Sequence, residues 1–114
     1  MALKRIILEM GHGNDMHGRD YTKAALRAVQ DCIRHSSLPF LGALGIPPAD
    51  MQVEVTIGVQ QPEKVDAAAI AASLPHGHVS VKVTKGGLDV PDDAGGIATV
   101  IATAGVAVRV DLRD

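Results

Sequence analysis

Residues 3–36 read LKRIILEMGHGNDMHGRDYTKAALRAVQDCIRHS, and this stretch decides the fold. Leu3 to Met10 is a strand-length run bounded by Gly11 and Gly13, with Ile6, Leu8 and Met10 on one side and Arg5, Ile7 and Glu9 on the other. Asp20 is placed to cap a helix running to about Ser36. Thr22, Ala25, Leu26, Val29, Cys32, Ile33 and Ser36 form one stripe at helical spacing, with Lys23, Arg27, Gln30 and Arg34 opposite. Arg27 has Asp31 four residues on as an expected ion partner.

Outward from this unit, residues 38–50 carry Pro39, Gly42, Gly45, Pro47 and Pro48 and read as a connector with a short helical turn at Phe40–Leu44. Val53, Val55, Ile57 and Val59 alternate with Gln52, Glu54, Thr56 and Gly58, the pattern of a half-buried strand from Met51 to Val59. Asp66 caps a short alanine-rich helix that ends before Pro75. Val79, Val81 and Val83 mark a third strand, with Lys82 expected to pair with Glu54. A Gly/Asp-rich loop is expected from Gly86 to Gly96, then a long apolar strand from Ile97 to Leu112, where Gly105 suits a bulge or close approach. The order β-α-β-α-β-β predicts a single α+β domain over residues 1–114, with a four-stranded mixed sheet and two helices on one face. Ile101, Thr103, Gly105 and Ala107, on the other side of the last strand, are too apolar for water, so a symmetric oligomer is expected to cover them.

Composition narrows the function. Eleven Lys and Arg against thirteen Asp and Glu give a net charge of −2, which excludes the basic footprint of a nucleic-acid binder and a polybasic membrane patch. One Tyr, one Phe and no Trp make no stacking platform for single strands and leave the core to Val, Ile, Leu and Ala. Cys32 stands alone, so neither an internal disulfide nor a thiolate cluster forms within one chain. The apolar run near the N-terminus is too short for a signal-peptide core or a membrane span, and a cytoplasmic location is expected.

The chemistry concentrates in Glu9–Lys23. Three glycines in eight residues, next to a helix N-terminus, allow close backbone approach to a ligand. Glu9, His12, Asn14, Asp15, His17, Arg19 and Asp20 crowd the same loop, more ionisable groups than a connector needs. Asn14 and Asp15 also suit turns, and Asp20 suits the helix cap. The spacing Gly11-x-Gly13-x-x-x-x-Gly18 is not a dinucleotide fingerprint and lacks the Gly-Lys-Ser/Thr of a phosphate loop, so no cofactor is assigned. Glu9, His12, Asp15 and His17 are of metal-ligand type but match no metal signature. His76 and His78 suit a polar turn, and Lys85 before Gly86-Gly87 can present an ammonium to an anion.

The run EMGHGNDMHGRDYTKAALRAVQDCI, followed by VEVTIGV and KGGLDVP, resembles a family of small bacterial conserved hypothetical proteins named after a Listeria protein. The resemblance rests on Glu9, Gly11, Gly13, Asp15, His17, Gly18, Asp20, Thr22, Lys23, Ala24 and Ala25. MGHGN followed by DYTK is also similar to one repeat of the ring-opening amidohydrolases, cyanuric acid hydrolase and barbiturase. That resemblance puts His12 at the family's catalytic Lys, Lys23 at its substrate-binding Arg, and its nucleophilic Ser near Thr56 or Ile57, so the Ser–Lys pair itself is absent. The element order is similar to that of trimeric chorismate-mutase subunits, although no Arg precedes Arg109 in the last strand.

The expectation is therefore a small-molecule enzyme, a hydrolase of cyclic amides or ureides, built as a homotrimer with its site at a subunit interface. Glu9 and His17 are the expected proton carriers. Gly11, His12, Gly13, Asp15, Arg19, Asp20, Lys23 and Lys85 are the expected substrate contacts. A metabolite-binding or regulatory module, or a metal-binding protein, are the alternatives, with neither nucleic acid nor membrane as partner.

Overall fold

The computed structural model describes residues 3–16, 19–34, 45–74 and 77–111. Strand β1 (Leu3–Asp15) leads to helix α1 (Tyr21–Arg34), β2 (Met51–Val59), the short helix α2 (Ala67–Ala72), β3 (His78–Lys85), β4 (Leu88–Pro91) and β5 (Ile97–Asp111). The sheet order is β1-β5-β2-β3, with β4 pairing β5 beyond the end of β2. β2 and β3 run parallel, as the α2 crossover between them requires, and the other pairs are antiparallel. This is the expected α+β arrangement of an open mixed sheet.

Two differences from the sequence reading follow from the pairing with β5. β1 runs five residues beyond Met10 to Asp15, because β5 is long enough to partner it as far as Val100. The expected 86–96 loop contains β4, which turns back on β5 with Leu88 opposite Ile101. Asp92 closes that turn, its Oδ1 accepting the Ala94 and Gly96 N–H groups at 2.9 and 2.8 Å. The turn expected at Phe40–Leu44 and the end of α1 near Ser36 lie outside the described residues.

Alternation sets the two faces. Val100, Ala102, Ala104, Val106, Val108 and Val110 of β5 are buried, together with Met51, Val53, Val55, Ile57 and Val59 of β2. Both helices pack on that face, α1 along β1 and β5, and α2 against β3 and α1. The other face of the sheet has no helix on it among the described residues.

The approach of α1 to β1 is unusually close. Ala24, Ala25 and Ala28 are fully buried, and beneath them lie Gly11 and Gly13. A Cβ at Gly11 would stand 2.7 Å from the Ala28 carbonyl oxygen and 2.8 Å from the Cys32 nitrogen. At Gly13 it would run into the Ala28 nitrogen and the Ala24 oxygen. These glycines do not end the strand; they admit the helix. Gly105 differs: the register runs through it without a bulge, and a Cβ there would meet nothing within 4 Å.

Gly13→Ala is therefore expected to cost about 3 kcal/mol or more, because rigid backbone receives the methyl group. Gly105→Ala is expected to be neutral or stabilising by about 0.5–1 kcal/mol. Urea denaturation midpoints compare the two directly, and equal midpoints would remove the packing argument.

Candidate functional site

The residues singled out between Glu9 and Lys23 are placed in three different ways. Because β1 continues to Asp15, its pleat sends alternate side chains to opposite faces. Gly11, Gly13 and Asp15 are buried under α1, with Glu9 half-buried on the same side, whereas Met10, His12 and Asn14 stand exposed on the open face. The sheet thus separates His12 from Glu9 and Asp15, and those two lie six residues apart along β1, about 20 Å. Among the described residues, no three His, Cys, Asp or Glu side chains come together as a metal site. His17 lies outside the described residues, as does His76.

Asp15 organises the turn. Its Oδ2 accepts the Asp20 N–H at 2.9 Å, and its Oδ1 lies 3.4 Å from Arg27 Nη1, which also donates to the Asn14 carbonyl at 2.6 Å. The Asp15 carbonyl accepts from Thr99 Oγ1 at 3.0 Å, tying the turn to β5. The Asp20 N–H holds the Asp15 carboxyl below the ordinary carboxylate range; burial opposes this, and Lys23 and Arg27 reinforce it. Asp20 caps α1 as expected, its Oδ1 accepting the Lys23 N–H at 3.1 Å. Arg19 is exposed, with φ of 52° in the bend before the cap.

Glu9 lies elsewhere. Its carbonyl meets Cys32 Sγ near the far end of α1, whereas Lys23 is in the first turn. Nine helical residues separate Lys23 from Cys32, about 14 Å along the axis, so Glu9 and Lys23 do not converge. Burial pushes the Cys32 thiol up to about 11, with Asp31 and Glu9 adding to the shift, consistent with a packed rather than reactive thiol.

Gly11 and Gly13 are committed to the β5 ladder and the helix contact. The backbone N–H of His12 donates to Asp31 Oδ2 at 3.0 Å, so α1 covers the edge of β1. These backbones serve strand pairing and the helix seat rather than the oxyanion donors expected of the loop.

His12 lies instead on the open face, beside a largely apolar hollow with a few polar residues in its lining. A shallow trough of about 520 Å³ is lined by Met10, His12, Thr56, Thr84, Lys85 and Thr103, with Gly58, Gly86 and Gly105 among its glycines. The register builds it from two adjacent rows: Met10–Gly105–Thr56–Lys82 and His12–Thr103–Gly58–Thr84. A Cβ at Gly58 would lie 2.7 Å from Thr103 Oγ1, so glycine there keeps the hydroxyl's space clear. Gln60 Nε2 donates to the Gly86 and Gly87 carbonyls at 3.0 and 3.3 Å, fixing the turn that follows Lys85.

Of the expected substrate contacts, His12 and Lys85 therefore share this trough, with Gly11 in its lining. Asp15, Arg19, Asp20 and Lys23 belong to the α1 start. Thr84 was not singled out from the sequence, while Thr56 entered only through the amidohydrolase resemblance and Thr103 only as part of the uncovered face. Their signal is position: each is a small polar residue on the non-core side of a valine-rich strand. Glu54, expected to pair with Lys82, is bound by Arg109 Nε at 2.6 Å across β2 and β5.

On the helix side, Tyr21 donates to Asp89 Oδ2 at 2.6 Å and accepts from Gln61 Nε2 at 2.9 Å, linking α1 to β4. Asp89 Oδ1 is buried without a partner among the described residues. Burial, then the Asp89 hydrogen bond and charge, push the Tyr21 hydroxyl up from 10.0 to about 12.

Two titrations test these placements. Asp15 has a lowered folded pKa, so its contribution is present above the ordinary carboxylate pKa of about 3.9 and fades as pH falls below it. The difference in melting temperature between wild type and Asp15→Asn should shrink as pH falls from about 5 to about 3, and a constant difference would refute it. Tyr21 is the chain's one tyrosine, with no tryptophan to mask it. Its raised pKa stabilises the fold below pH 10 and is lost as pH rises through about 12, so phenolate absorbance should appear near 12 when folded and near 10 in denaturant. Coincident midpoints would remove the buried contact.

Known proteins resemble this chain at two levels. A crystal structure of an FtsZ-like protein of unknown function from Nostoc punctiforme is 35% identical, with a TM-score of 0.82, covering 98% of this chain and 99% of that one. No curated protein matches. The family model for conserved hypothetical proteins designated Lin0512_fam matches residues 5–108, nearly the whole domain, and the chain belongs to that family.

Proposed function

We propose that this protein is a small-molecule enzyme whose site is the trough on the open sheet face, acting on a cyclic amide or a related polar metabolite. The observation that carries this reading is the meeting of His12 and three threonines over a glycine floor, with Lys85 at the β3 end of the lining. His12 and Thr56 are also the positions that align with the catalytic Lys and, approximately, the nucleophilic Ser of the ring-opening amidohydrolases. Their sharing one trough supports a related task performed with different groups. His12 is the group able to accept and return a proton. Lys85 offers a cation to a carbonyl or carboxylate oxygen, and the Thr56, Thr84 and Thr103 hydroxyls can bond ring N–H and C=O groups.

The trough is shallow and open, so a full site needs cover from another copy of the chain. A second copy of the chain, in a homotrimer or in a face-to-face pair, meets that need by placing the site between subunits. Glu9 and Lys23, which lie outside the trough, take no part in this reading. His17, beside the Asp15 turn in sequence, remains the alternative proton carrier.

Turnover of barbiturate and related cyclic ureides by wild type, His12→Ala, His17→Ala, Lys85→Ala and Glu9→Gln tests the assignment. His12→Ala should lose at least about 100-fold in kcat, Lys85→Ala should raise KM, and Glu9→Gln should change neither. Wild-type activity in His12→Ala would reject the role of His12. Thermal stabilisation by a ureide that emerges unchanged would instead favour a binding module.

A further inference from the structure

The face of the sheet turned away from the helices holds more apolar surface than a solvated face requires. Large exposed hydrophobic side chains among the described residues are Leu8, Met10, Met16 and Leu88, at 47%, 72%, 59% and 54%. Register puts Leu8 opposite Ala107, Met10 opposite Gly105 and Leu88 opposite Ile101, so these three belong to the open face. The outward side of α1, by contrast, shows Lys23, Arg27, Gln30 and Arg34. The outward side of α1 is charged and polar, whereas the open face carries the exposed apolar side chains.

We propose that a second copy of this chain covers the open face with its own, and that the second copy's Met10 roofs the trough. The roofing clause rests on the trough being the functional site; the docking clause does not.

Shape supports this occupant. Met10 protrudes directly beside the hollow at Gly105, where a Cβ would have no neighbour within 4 Å. Each copy thus presents a knob and, next to it, a vacancy, the self-complementarity a symmetric contact needs. Area supports it as well. Four strands about 4.8 Å apart and about nine residues long make a patch of roughly 20 by 30 Å, about 600 Å² per copy. Two such patches bury about 1,200 Å², the lower bound for a stable specific interface.

Charge does not oppose it. Glu54 and Arg109 neutralise one another on this face at 2.6 Å. Lys82 on β3 and Arg5 on β1, which register puts on this face, belong to edge strands, where long side chains can carry their charges to the rim.

Light scattering of the full chain is the first test. Wild type should have a molar mass that is a multiple of 11.9 kDa, and Met10→Lys and Leu8→Lys should each fall to a single chain. Gln30→Lys, on the outward side of α1, should keep the wild-type mass. All three positions are exposed within the subunit, and circular dichroism confirms folding.

The second test reads the roof without turnover. A cysteine at Thr103→Cys lines the trough and should react with a thiol reagent about tenfold faster when Met10→Lys is also present; Cys32 is buried. A monomeric wild type, an unchanged mass in both lysine variants, or equal thiol rates would overturn the proposal. Because neither measurement uses a ureide, failure here is distinct from failure of the enzymatic reading.

Discussion

The contact between Gly13 and the backbone of Ala24 and Ala28 is the constraint on which the rest of the domain depends. With no side chain at Gly11 or Gly13, α1 settles onto β1 at backbone distance, and its inward positions must be small: Ala24, Ala25 and Ala28. The scarcity of aromatic residues then has a cause. A helix held this close leaves little room for rings in the layer beneath it, so Val and Ile of β2 and β5 supply the core. Tyr21 escapes the restriction because it lies at the helix start, where its hydroxyl reaches across to Asp89.

The same contact determines which face each side chain of β1 takes. Turning Gly11, Gly13 and Asp15 inward sends Met10, His12 and Asn14 outward, since a strand has no third direction. A segment that reads as one crowded loop is therefore divided. Its carboxylates build the strand-to-helix turn through Asp15 and Asp20, and the His12 N–H meets Asp31 of α1 at the strand edge. Its exposed imidazole at His12 goes to the opposite face. The α1 start satisfies its own polar groups locally, whereas the open face sets His12 and three threonines around a largely apolar hollow.

Much of this was legible from residue order. The period-two alternation of Val53–Val59 and Val79–Val83 and the cap at Asp20 announced the α+β plan, because local pattern and tertiary burial agree there. The end of β1 was illegible because glycine in a single sequence signals a break as readily as a close approach. What separates the two is α1 lying on top, a contact between residues far apart in sequence. β4 was hidden for a related reason: four residues between glycines become a strand only because β5 extends beyond β2 to receive them. The trough was the least legible feature. It draws on β1, β2, β3 and β5, and no short window holds His12, Thr56, Thr84 and Thr103 together.

Gly105 is the residue that ties architecture to use. Glycine in the middle of a strand is unfavourable relative to alanine by roughly 0.5–1 kcal/mol, and a structural reason normally offsets that. Gly11 and Gly13 have one in the helix above them, and Gly58 has one in Thr103. Gly105 has neither a positive φ nor a bulge nor a neighbour that a methyl group would strike. What it does have is a position between Met10 and Thr56, in the floor of the hollow. A valine there would complete the alternating apolar pattern of β5 and fill the trough from below. The absence of a side chain is thus not demanded by the subunit's own packing. Its effect is a hollow beside Met10, on the face that the helices leave bare.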